Sequence, residues 1–149
     1  MPEIHLKRAV TDEDYRSAFD VMRELRPHLT DVDAFVRQMH RQAEQGYVLL
    51  TARDTSPDDA VVALAGYRHL ENTVYGRFVY VDDLVATEHA RGQRLGERLL
   101  DAVRDDARQH GCMYLILDTG LSNALAQRFY FRQGMLSRGM HFSQSLQAP

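Results

Sequence analysis

Cysteine is nearly absent. Cys112 is alone among 149 residues, so no internal disulfide can form. That fits a reducing compartment, and a cytoplasmic location is expected. Lysine is as scarce: of 18 lysines and arginines, only Lys7 is a lysine. Long apolar runs are missing too. The longest, Val61–Ala65 and Cys112–Leu117, fall far short of the roughly 20 residues that a membrane span needs. Residues 1–30 carry charges throughout and hold no apolar signal-peptide core. No membrane partner is therefore expected. The seven histidines show neither His-x-x-x-His nor His-Glu-x-x-His spacing, and no cysteines cluster, so no metal is expected either.

The remaining composition is that of a globular protein, with 44% hydrophobic and 26% charged residues. With no repeats and no linker, residues 1–149 read as a single domain. A domain of this size buries roughly 68–70% of its unfolded surface. The net charge of −3 excludes a generally basic nucleic-acid binder. That charge is unevenly divided. Residues 1–85 hold 10 basic and 15 acidic side chains, and residues 86–149 hold 8 and 6. The two parts are expected to meet differently charged partners.

Capping and periodicity give the elements. Ile4–Arg8 reads as a first strand. Thr11 caps a helix that runs to about Leu25 and is ended by Pro27. Asp31 or Asp33 starts a second helix, which closes at Gln45-Gly46. Tyr47–Arg53, Ala60–Leu70 and Arg77–Ala86 are β-rich. Leu95, Leu99, Val103 and Ala107 mark a helix over 95–110. The unbroken apolar run Cys112–Leu117 predicts a strand buried on both faces. Asn123–Gln133 predicts a further helix, and Phe142–Leu146 a last strand. The order is mixed α/β.

Arg91-Gly92-Gln93-Arg94-Leu95-Gly96 lies between a strand and the strongest helix. The unpaired N–H groups and partial positive charge of a helix start suit an anion such as phosphate. A basic turn with a helix cap explains the same residues. The wider run narrows the choice. Asp82-Asp83-Leu84-Val85, Arg91–Gly96 and Asn123-Ala-Leu-Ala126-Gln-Arg-Phe129-Tyr130-Phe-Arg-Gln-Gly134-Met135 resemble the GNAT family of N-acetyltransferases. The family loop pattern is Gln/Arg-x-x-Gly-x-Gly/Ala. Arg91 and Gly96 match its ends, and Arg94 stands where the middle glycine usually does. A positive φ at 94 would strain an arginine. Met135 replaces the phenylalanine that usually ends the second motif.

The resemblance implies a mixed, mostly antiparallel sheet, splayed between its fourth and fifth strands, with helices on both faces. It implies acetyl-CoA as cosubstrate. Arg91, Gly92, Gln93, Arg94, Leu95, Gly96 and Glu97 would hold its pyrophosphate. Main-chain groups of Leu84 and Val85 would pair with the pantetheine arm, and Asn123 would bond a pantetheine amide, a role compatible with capping a helix. Tyr130 would protonate the departing thiolate; packing inside a helix is its other reading. Asp82 and Asp83 are candidate bases, turned to opposite faces by strand alternation. Glu88 and Asp118 are weaker candidates. The acceptor is expected to be a small-molecule amine, reached near residues 26–33. A protein lysine or N-terminal amine, or a non-catalytic acetyl-CoA-binding module, are the alternatives. Similar proteins often form homodimers, of which this sequence carries no independent mark.

Overall fold

The computed structural model describes residues 3–56, 58–90 and 92–148. These form two compact units, Met1–Leu117 and Asp118–Pro149.

The first unit is built on a five-stranded sheet. Its strands are β1 (Ile4–Ala9), β2 (Tyr47–Asp54), β3 (Ala60–Asn72), β4 (Gly76–Ala86) and β5 (Tyr114–Leu117), side by side in that order. β1 to β4 pair antiparallel and β5 joins β4 in parallel. The helices are α1 (Asp12–Leu25), α2 (Val32–Glu44) and α3 (Leu95–Gln109).

Local chemistry sets the helix ends. The Thr11 hydroxyl accepts from the Asp14 N–H, and the Asp14 carboxylate accepts in return from the Thr11 N–H. This reciprocal box satisfies two of the donors that a helix start leaves open. Asp31, rather than Asp33, caps α2, with its carboxylate accepting from the N–H groups of Asp33 and Ala34. Gly46 (φ +91°) turns the chain out of α2 into β2, a conformation glycine adopts without strain.

Strand alternation gives the sheet two covered faces. Tyr47, Leu49, Val61 and Leu64 pack with Phe19 and Met22 of α1 and Phe35 of α2. On β3, Gly66 and Arg68 share that face with Leu64. Tyr67 and His69 share the other, where the Tyr67 hydroxyl reaches Asp106 of α3. The buried stripe of α3 is Leu95, Leu99, Val103 and Ala107. No described helix is long and apolar enough to cross a membrane.

Two expected strands need correction. β5 is four residues long and is not buried on both faces. Tyr114 is 47% exposed, and Leu115–Leu117 are half-buried. It pairs with β4 alone among the described residues, so it takes an edge position. Phe142–Leu146 is not a strand. Strands persist through partners for their backbone groups, and among the described residues none pairs with this segment.

The second unit holds α4 (Ala124–Arg132) and irregular chain after it. Asn123 caps α4 by accepting from the Ala126 N–H at 3.1 Å. Gly134 (φ +84°) closes the helix, and the Met135 N–H donates to the Tyr130 carbonyl.

Candidate active site

The partner of β4 changes part-way along it. Phe78–Val81 lie opposite Tyr114–Leu117 of β5. From Asp82 to Ala86, β4 pairs only with β3 among the described residues. One edge of this stretch is therefore open. The Thr87 N–H donates to the Val62 carbonyl of β3. Main-chain groups alternate in direction along an antiparallel strand. Those of Val85 thus face β3, opposite Leu64, while those of Leu84 and Ala86 face the open edge. Leu84 is one of the open-edge residues. The second open-edge residue is Ala86, not Val85, whose side chain packs against the core.

Just before the open edge the register slips. Val81 pairs with Tyr67 and Asp83 with Gly66, which leaves Asp82 as an extra residue on β4. This bulge overturns the expectation that the two aspartates face opposite sides. Both carboxylates find partners of the face covered by α1 and α2. Asp83 Oδ1 accepts from Arg26 Nε at 3.1 Å and from its terminal nitrogen at 3.0 Å. Asp83 Oδ2 accepts from the buried Tyr47 hydroxyl at 2.8 Å. Asp82 Oδ2 accepts from Arg68 Nε at 2.9 Å. Burial raises the Asp82 pKa, and the charge of Asp83 adds to this, against the lowering pull of Arg68 and Arg26. Asp83 is thus tied by three donors, whereas Asp82 has one arginine partner and a pKa raised by burial.

β4 leads through a 3₁₀ turn (Glu88–Ala90) into the start of α3. Glu88 is exposed there. Arg91 lies outside the described residues. Gly92 (φ +89°) and Gln93 are exposed. Arg94 occupies the N-cap of α3 in the left-handed region, φ 57° and ψ 32°. The Arg94 side chain makes no capping bond to this helix. The first helical bond runs from the Arg98 N–H to the Arg94 carbonyl, so the N–H groups of Leu95, Gly96 and Glu97 belong to the open first turn. Arg94 Nε lies 3.2 Å from Glu97 Oε2.

In the second unit, Tyr130 is half-buried on α4, its ring edge-on to Phe129 at 5.3 Å between centroids. Burial raises its pKa. Gln127 donates to the Gly120 and Leu121 carbonyls and ties down the loop ahead of Asn123. Asp118 lies 3.1 Å from His141 Nδ1.

Residues 8–135 match the sequence profile of the Acetyltransferase (GNAT) family. The chain belongs to that family. The acetyltransferase is 29% identical over 128 residues to the uncharacterized N-acetyltransferase YhdJ of Bacillus subtilis, covering 85% of this chain and 87% of that one. Its fold is that of glucosamine-6-phosphate N-acetyltransferase from Arabidopsis thaliana (TM-score 0.77, 19% identity, 97% and 99% of the two chains). It also matches AAC(6')-Iy, solved with the bisubstrate analogue CoA-S-monomethyl-acetylneamine (TM-score 0.80, 15% identity, 96% and 99%).

Four residues of this acetyltransferase's site were not anticipated in these roles: Arg26, Tyr47, Arg68 and Ala86. The first three hold the aspartates from the end of α1, from β2 and from β3, between 14 and 57 residues away in sequence. No local spacing signals such contacts. Ala86 was within reach, because alternation from Leu84 already points to it. A cavity of about 130 Å³ is lined in part by Arg26, His28, Leu29, Phe35 and Asp83. It overlaps the 26–33 stretch expected to meet the acceptor.

Proposed function

We propose that this acetyltransferase moves the acetyl group of acetyl-CoA directly to a primary amine of a small molecule, within a ternary complex. The observation that carries the reading is the open edge of β4, followed after a 3₁₀ turn by the start of α3, which the Arg94 side chain does not cap. The edge offers strand-like pairing to an extended amide chain, and the helix start offers N–H donors to a pyrophosphate. Both features suit acetyl-CoA, which supplies the acetyl group already activated as a thioester.

Each residue then has a task. Main-chain groups of Gly92, Gln93, Arg94, Leu95, Gly96 and Glu97, with Arg91, hold the pyrophosphate. Leu84 and Ala86 pair with the pantetheine arm, and the Leu84 N–H polarises the carbonyl under attack. Asn123 holds a pantetheine amide through its side-chain nitrogen while its oxygen caps α4. Asp82 takes the proton from the acceptor, directly or through water. That step matters because an alkylammonium near pKa 10.4 has no lone pair, and freeing it at pH 7 costs roughly 4.6 kcal/mol. Tyr130 gives a proton to the leaving thiolate. A small acceptor agrees with the modest cavity beside Asp83 and with the small amines named in the relatives.

The test is a turnover screen that reads free thiol across small amines, amino acids and lysine peptides. Turnover with small amines and none with peptides supports the reading. Preference for peptides overturns the acceptor class. Tyr130→Phe should depress kcat more than acetyl-CoA affinity; unchanged turnover across the pH profile removes Tyr130 from the mechanism.

A further inference from the structure

At the far end of α3 from the cofactor loop, three side chains converge that acetyl transfer does not use. His69 projects from β3 on the face covered by α3. Asp106 stands on α3, and His110, the residue that ends it, follows one turn later on the same side. Asp106 lies about 16 Å along the helix from Leu95, at 1.5 Å per residue. His69 Nε2 is 3.2 Å from Asp106 Oδ2, and His110 Nδ1 is 3.1 Å from Asp106 Oδ1. The two imidazole rings lie 4.6 Å apart between centroids, and the three ligand atoms fall within 4.8 Å of one another.

We propose that His69, Asp106 and His110 form a binding site for a first-row divalent cation, Zn²⁺ foremost. Two imidazole nitrogens and a carboxylate are donors that zinc takes. Ligand atoms at about 2.0–2.1 Å from a tetrahedral zinc lie about 3.3 Å from each other; each imidazole nitrogen stands at about that separation from one of the two Asp106 oxygens, and a small turn of the carboxylate brings one oxygen toward both.

Three further features favour a cation. His69 Nε2 is buried, and although it lies near Asp106 it makes no aligned hydrogen bond. The Tyr67 hydroxyl donates to Asp106 Oδ2 at 2.6 Å, the kind of outer contact that orients a ligating carboxylate. The site also sits at the C-terminal end of a 15-residue helix, whose partial negative charge attracts cations. Binding requires His110 Nδ1 to give up its 2.8 Å contact with the Asp106 carbonyl, and His110 is exposed enough to do so. Three protein ligands leave a fourth position to water. The cation would clip β3 to the end of α3.

The full chain, freed of metal by chelator, should be titrated with ZnCl₂ by calorimetry and by equilibrium dialysis with metal analysis. One Zn²⁺ per chain is expected, with a reversible rise in Tm that Mg²⁺ does not reproduce. His110→Gln and His69→Gln should each weaken binding by at least about 10-fold, on the scale of lost ligand or outer-shell contacts. Co²⁺ in place of zinc should show the visible absorption of a four-coordinate site, lost in His110→Gln. His110 is exposed, so that variant keeps the test valid if His69→Gln fails to fold. No stoichiometric Zn²⁺ binding by the wild type, or equal affinity in the folded His110→Gln protein, overturns the site. None of these readouts depends on acetyl transfer.

Discussion

The Tyr47 hydroxyl lies directly over Gly66. A Cβ placed on Gly66 would sit 1.8 Å from that oxygen and 2.8 Å from Asp83 Oδ2. Only the absence of a side chain at 66 lets the phenol cross the sheet and donate to Asp83. Gly66→Ala must therefore push Tyr47 aside in a buried region and strip Asp83 of a donor. Overpacking alone costs about 1–3 kcal/mol, and an unsatisfied buried group adds about 1–3 more. Gly120→Ala is the control, because nothing lies within 4 Å of its Cβ position. It should change stability by less than about 0.5 kcal/mol. Urea denaturation of both variants decides; similar midpoints would mean that the phenol has no fixed place over Gly66.

The two neighbouring aspartates should fail in different ways when neutralised. Asp83 is buried and takes three donors, so Asp83→Asn leaves Arg26 and Tyr47 without their anion. The expected loss of stability is about 1–3 kcal/mol, the cost of leaving the buried Tyr47 hydroxyl and the half-exposed Arg26 with weaker partners. Asp82 has one arginine partner and a pKa raised by burial, so Asp82→Asn should leave Tm within a few degrees of wild type. It should lower kcat/KM by about 10²–10⁴, the usual contribution of a positioned base. The wild-type rate should fall as pH drops through the Asp82 pKa, which lies above 3.8, and Asp82→Asn should lack that acid limb. Thermal melts beside a pH–rate profile separate the two residues. An active Asp82→Asn protein with its acid limb intact would give the base role to another group.

The bulge that creates this difference could not be read along the chain. Helix ends were legible because Thr11, Asp31, Gly46 and Gly134 act on groups a few residues away. The loop was legible only in part: a positive φ at 94 was named as a source of strain for an arginine, and φ at 94 is +57°. The bulge is a mismatch of register between β3 and β4, set by what each strand packs against. Alternation counted along β4 alone necessarily sends Asp82 and Asp83 apart. Apolar runs had the same weakness. Cys112–Leu117 has the composition of a central strand, but its burial depends on what lies beside it. The His69, Asp106 and His110 cluster is equally non-local, since β3 and α3 bring it together across 37 residues.

Arg94 carries the backbone cost that its position in the loop implies. A left-handed conformation costs a residue with a Cβ roughly 1–2 kcal/mol. Its side chain is 82% exposed, and the contact with Glu97 is an exposed ion pair, which offsets little. Arg94→Gly relieves the strain but gives back about 0.4–1 kcal/mol through a freer unfolded chain. The net change should lie between zero and a gain of about 1.6 kcal/mol. Arg94→Val should lose at least about 1 kcal/mol, because a β-branched residue fits this region worst. Calorimetric melts of the two variants test the order. A valine variant as stable as the glycine one would mean that residue 94 does not hold a positive φ in solution.

Asp14 gives the fold a marked dependence on acid. Burial works against its charge, but the N–H groups of Val10 and Thr11 and the Lys7 ammonium outweigh burial and hold its carboxyl well below the usual range. A carboxyl whose folded pKa lies below its unfolded value near 3.8 stabilises the fold above that unfolded value. The contribution is complete at neutral pH and drains away as pH falls below about 5 and on toward the folded pKa. Asp14→Asn keeps the shape but not the charge, and should cost about 1–2 kcal/mol at pH 7. The gap between wild type and Asp14→Asn should then narrow steadily as pH falls, because the wild type alone loses this term. Urea denaturation of both proteins at several pH values between 7 and 3 measures it. A gap that stays constant over that range would mean that the cap acts through shape and neutral hydrogen bonds alone, with no part played by the charge on Asp14.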